Sequence, residues 1–143
     1  MTRTDRVLRI ALGLCFVAAG AAKIVDPLGF AVSIARLRIV PMALVGPIAI
    51  LLPWIEVVAA AAMLLPAFRR PALQLLLGLL VVFTVALAVG LLRGATSCGC
   101  FGSADRFLNR ADVAVARNVV LIGMAIVLLR RKPTSPAAPA SPA

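Results

Sequence analysis

Histidine and tyrosine are missing from the 143 residues, acidic residues number five, and aromatic side chains make up 5% of the chain. Without histidine there is no Ser-His-Asp or Cys-His catalysis, no histidine-held zinc and no histidine-ligated haem. Chemistry is confined to three cysteines, five carboxylates and the 15 lysines and arginines.

What is abundant is aliphatic. Hydrophobic residues make up 63% of the chain and charged ones 14%, with a mean hydropathy of +1.10, whereas charged residues are about a quarter of a soluble domain. The composition is that of a membrane protein. The net charge of +10 does not mark a nucleic-acid binder, because the basic residues punctuate apolar runs and form no separate basic face interleaved with aromatics.

Four apolar runs, at about residues 7–25, 42–65, 72–92 and 113–129, are each close to the roughly 20 helical residues that cross a hydrocarbon core. The expected fold is all-α: an integral membrane four-helix bundle formed by residues 1–132. The Pro/Ala/Ser tail, 133–143, cannot build a core and is expected to be disordered. "PAFRRP" (Pro66 to Pro71) separates the second and third runs as a tight turn. The small-residue runs "AAGAA" and "AAAA" in the first and second spans allow close backbone approach.

Between the first two spans, Phe30, Ile34 and Leu37 recur at helical spacing with Arg36 and Arg38 off that face. This pattern predicts a short helix lying in the outer interface. Arg3, Arg6, Arg9, Arg69, Arg70, Arg130, Arg131 and Lys132 all fall at one side of a four-span arrangement. The positive-inside rule makes that side cytoplasmic. Both termini are then cytoplasmic in the plasma membrane, and the loop after the third span is extracytoplasmic. The competing reading of the N-terminus is a signal peptide, with a basic start, an apolar core and a small-residue site at Ala19 to Ala21.

Two features carry chemistry. Glu56 lies inside the second span, where a charged residue costs about 2.5–3.5 kcal/mol on insertion scales. It therefore requires a partner, and Lys23 and Arg117 lie in reach, near the outer ends of the first and fourth spans. Such a group serves either as a buried pair that fixes helix packing or as a proton relay for chemistry at the outer face. Trp54 is expected to pack between helices.

The second feature is "TSCGCFGSADR", in which Cys98 and Cys100 are separated by one glycine. A bond between cysteines so close requires a turn that glycine permits; it would be strained and therefore labile, which suits disulfide exchange. Arg93 and Arg106 favour the thiolate. A purely structural loop is the alternative. Two thiolates, with only Cys15 left over, are too few for a tetrahedral metal site, and Cys15 itself reads as a small apolar packing residue. No cofactor is evident in the inventory, and a quinone is left open.

"LGLCFVAAGAAKIVDPLGFAVSI", "LLPWIEVVAA", "LLRGATSCGCFG" and "ARNVVLI", in this order and spacing, resemble the MauE family of DoxX-like membrane proteins over residues 6–130. The Cys-Gly-Cys-Phe-Gly run is the most specific element. The resemblance implies a four-helix membrane bundle, a link to methylamine utilisation, and extracytoplasmic thiol-disulfide exchange alongside a thioredoxin-like partner during maturation of an exported client enzyme. Cys98 and Cys100 would be the redox pair. Complete disulfide-generating membrane oxidases carry two cysteine pairs and this chain has one, so a relay fits better than an oxidase. A non-catalytic membrane scaffold or chaperone is the alternative function. The expected partners are membrane lipid, the thioredoxin-like protein and its client, and no nucleic acid.

Overall fold

The computed structural model describes residues 3–94 and 110–131. Among the described residues five helices follow one another: α1 (Arg3–Val25), α2 (Pro27–Leu37), α3 (Met42–Ala62), α4 (Arg69–Leu92) and α5 (Ala111–Arg130). All but α2 are long and apolar enough to cross a membrane, in keeping with the four-span bundle. The Cys98 and Cys100 segment, Arg106 and the tail after Arg131 lie outside the described residues.

The helix ends differ from the apolar runs for local reasons. α1 takes in the arginines of its first turns, because arginine is a good helix former and its charge does not interrupt the backbone ladder. α4 starts at Arg69, ahead of Pro71, since a proline in the first turn lacks only an N–H that has no helical acceptor there. α3 ends at Ala62, and residues 63–68 make the turn.

α1 packs mainly on α3, and α4 mainly on α5; the contacts between these two pairs are sparser. The core runs through both. Leu12 and Phe16 of α1, Ala60 of α3, Leu76 and Leu80 of α4 and Ala125 of α5 are buried in one cluster. The segment open to reading as a signal peptide is thus part of α1 and supplies two of these side chains. Large apolar residues such as Leu14, Ile50, Val82 and Val120 face outward and are more than half exposed, as expected where the surrounding solvent is hydrocarbon.

A short helix forms between the first two spans. Asp26 caps it, accepting a hydrogen bond from the Gly29 N–H at 2.9 Å, and Pro27 fills its first turn, an arrangement suited to a sharp helix start. A Cβ on Gly29 would collide with the Asp26 carboxylate, so the tight cap needs glycine there. Phe30 and Ile34 turn inward onto Val45 and Ala49 of α3. At its other end the Leu37 carbonyl accepts a hydrogen bond from Arg93 Nη1 at 3.1 Å. A cation at the end of α4 therefore satisfies the C-terminal carbonyls of α2.

Candidate functional site

The close approach of α1 and α3 starts at Gly20. A Cβ built there would lie 2.7 Å from Val57 Cγ2 and 3.1 Å from the Pro53 carbonyl oxygen, so only glycine lets the backbones meet at this level. Val57 is β-branched and has little rotamer freedom in a helix. Gly20→Ala is expected to destabilise the bundle by about 1–3 kcal/mol, the usual cost of overpacking, read as a loss of thermal stability in detergent.

Glu56 of α3 borders this contact, 3.7 Å from the same position by its Cβ, and Lys23 follows one turn further along α1. Helical side chains lean toward the N-terminus of their own helix. The two helices are antiparallel, with Gly13 beside Met63 and Gly20 beside Pro53, so Lys23 and Glu56 lean toward each other. Lys23 Nζ donates to Glu56 Oε1 at 2.8 Å and to Oε2 at 2.7 Å. The residues are 3% and 1% exposed, which makes this an ion pair sealed inside the bundle.

The ammonium also lies 5.2 Å from the centre of the Phe30 ring and 4.8 Å from that of Phe83, within cation–π range. α1, α2, α3 and α4 thus each supply one side chain around a single charge. A cavity of about 40 Å³ adjoins the pair and is lined by Cys15, Phe83, Arg117 and Asn118 as well as Lys23 and Glu56. Its size and polar lining suit a bound water. Of the two cations expected to reach Glu56, Lys23 makes the direct contact, and Arg117 shares the chamber.

A second cavity, about 310 Å³, lies between α2, α3 and α4, and Phe30 and Phe83 form its wall toward the ion pair. Its other walls, including Ile34, Ile48, Leu52 and Leu79, are aliphatic. Such walls suit a hydrocarbon chain and offer no side-chain donor to a carbonyl head group.

Trp54 departs from the expectation that it packs between helices. It is 55% exposed on the outside of α3, bordering a groove with Phe68 and Leu75. Sequence reasoning also missed Phe83, because α4 is apolar on all sides and its pattern singles out no inward face. Cys15 is exposed on α1 while also touching the 40 Å³ chamber, so it is not the packing residue expected of it.

These features define a small multi-span α-helical membrane protein in which an ion pair sealed inside the bundle joins α1 to α3. The model of the family described as methylamine utilisation protein MauE matches residues 1–131. The chain belongs to that family. It is 34% identical over 136 residues to the methylamine utilization protein MauE of Paracoccus denitrificans, covering 94% of this chain and 72% of that protein. Identity to the protein of the same name from Methylophilus methylotrophus is 35% over 65% of this chain and 50% of the relative. For the Methylorubrum extorquens protein it is 33%, over 71% and 55%. The chain thus spans about half the length of the latter two relatives. No solved structure matches it.

Proposed function

We propose that this protein is a thiol-disulfide relay of the membrane, in which Cys98 and Cys100 exchange disulfides with an extracytoplasmic thioredoxin-like protein during maturation of an exported enzyme. The setting suggested by the names of its relatives is methylamine utilisation. The observation that carries the reading is positional. The segment holding Cys98 and Cys100 joins the C-terminus of α4 to the N-terminus of α5, at the end of the bundle opposite Arg9, Arg69 and Arg131. By the positive-inside rule the arginine-rich end is cytoplasmic and the cysteine segment is not.

The chemistry needs nothing beyond the pair and its partner. A thiolate of one protein attacks the disulfide of the other, forming a mixed disulfide and releasing one thiolate. The second thiolate of the attacking pair then breaks the mixed disulfide, so one protein leaves oxidised and the other reduced. In this reading the Lys23–Glu56 pair holds the bundle, with the ammonium donating to both carboxylate oxygens, and the exchange needs no proton from it.

The test is labelling in intact cells with a membrane-impermeant thiol reagent, before and after mild reduction, in a Cys15→Ser background. Cys98 and Cys100 are expected to resist the reagent until reduced and then to react from outside. Reaction only after lysis would reverse the orientation and overturn the proposal; free reaction without reductant would show a pair held reduced and argue for the scaffold reading.

A further inference from the structure

The larger cavity, about 310 Å³, lies where α2, α3 and α4 pack on one another, and every described side chain that lines it is apolar. Its wall on α4 runs from Leu79 to Leu87, a rise of about 12 Å at 1.5 Å per residue. The space is therefore long in the direction of the spans. Protein interiors leave few voids larger than a water molecule, and an apolar cavity of about 150 Å³ is already enough to take up benzene in place of water. Volume, length and lining together suit one extended hydrocarbon chain.

The cavity is reached from the membrane. Val82 and Ile39 line it and are 66% and 46% exposed. Val82 lies midway along span α4, so the opening there gives onto bilayer hydrocarbon. The end of the cavity near Ile39 is cationic. Leu37 and Ile39 are both lining residues, Arg38 stands between them, Arg36 precedes them, and both arginines are exposed. Arg93 is exposed as well, and its Nη1 donates to the Leu37 carbonyl at 3.1 Å and to the Arg38 carbonyl at 3.5 Å. Three guanidinium groups thus border one end of an apolar channel. The carboxylates described at this side of the bundle are engaged elsewhere: Asp26 caps the opposite end of α2 and Asp112 pairs with Arg110. A molecule complementary to the whole has a long apolar chain and an anionic head, and phosphate is the head that guanidinium groups match best.

We infer that the cavity between α2, α3 and α4 holds one acyl chain of an anionic phospholipid, whose phosphate is met at the membrane interface by Arg36, Arg38 and Arg93. Depth agrees with this pairing. Span α4 ends at Leu92, so Arg93 stands at the level of the headgroups, and a chain running from Ile39 past Leu87 toward Leu79 descends into the bilayer as a lipid tail does. By the positive-inside rule the lipid belongs to the extracytoplasmic leaflet. Phe30 and Phe83 separate its tail from the Lys23 ammonium, so the ion pair and the lipid share a wall. The inference rests on the cavity and its arginines and does not depend on the thiol-exchange reading.

The experiment is native mass spectrometry of the full-length protein in detergent, titrated with dioleoyl phosphatidylglycerol or dioleoyl phosphatidylcholine. The expected result is one tightly held lipid, with phosphatidylglycerol preferred about tenfold. Arg36→Gln/Arg38→Gln should remove most of that preference. Ala86→Phe, which fills the cavity from α4, should weaken both lipids about tenfold, and Val58→Phe, on the exposed face of α3, should weaken neither. A second measurement needs no variant. Phosphatidylglycerol carrying a diazirine in its acyl chain should, on irradiation, label Ile48, Leu52 and Leu79 in preference to the outward-facing Ile50 and Val120. Label spread evenly over the outward faces, or lipid retention indifferent to Ala86→Phe in a folded protein, would overturn the cavity assignment. Equal retention of the two lipids by the unaltered protein would overturn the anionic headgroup.

Discussion

Replacing Lys23 by Met is expected to destabilise the folded bundle by about 3–5 kcal/mol, the cost of removing one partner from a buried pair. Methionine keeps most of the volume of the lysine stem, so the loss reads charge rather than packing. Glu56 is left 1% exposed without the ammonium that now donates to both its oxygens. The double variant Lys23→Met/Glu56→Leu is expected to recover nearly all of that loss, because two well-packed apolar residues often equal or exceed a buried ion pair in stability. The measurement is a double-mutant cycle of equilibrium unfolding in mixed micelles, whose coupling energy isolates the pair. A double variant as unstable as the single one would mean that Phe30, Phe83 and the polar chamber around Arg117 need a charge at this point. The double variant should also retain thiol exchange at every pH; loss of exchange in a stable double variant would give Glu56 a relay role.

How much of this could be read from the chain alone follows from what hydropathy encodes. Hydrocarbon demands long apolar runs and rejects isolated charges, so four spans and the need of Glu56 for a cation were legible. The choice between Lys23 and Arg117 was not, because it depends on antiparallel packing at Gly20 and on the direction in which side chains lean. Phe83 was hidden for a different reason. In a soluble helix an inward face stands out against polar surroundings, but α4 is apolar everywhere, and the approach of its ring to Lys23 leaves no periodic trace. Trp54 was misplaced because lipid is as apolar as a neighbouring helix, and a large side chain gains little by choosing the interior. The arginines were read as topology signals. Nothing in that reading foretold that Arg9 and Arg69 would be only half-exposed, which depends on how the helices meet at that end of the bundle.

Replacing both Cys98 and Cys100 by Ser is expected to abolish oxidation of the exported client, and either single substitution is expected to trap a covalent complex. The asymmetry follows from exchange chemistry. One thiolate suffices to attack a partner disulfide and form the mixed disulfide, but the second is needed to resolve it. A chain with only Cys98 or only Cys100 therefore stalls with the partner attached, seen as a reductant-sensitive band whose mass is the sum of the two proteins; which single variant traps more identifies the attacking sulfur. Cys15 sits within α1, and Arg93 donates to the carbonyls of α2, anchoring the end of α4 from which that segment departs. If the double serine variant still supports client maturation and neither single variant gives an adduct, the bundle acts as a scaffold and the cysteine segment is structural.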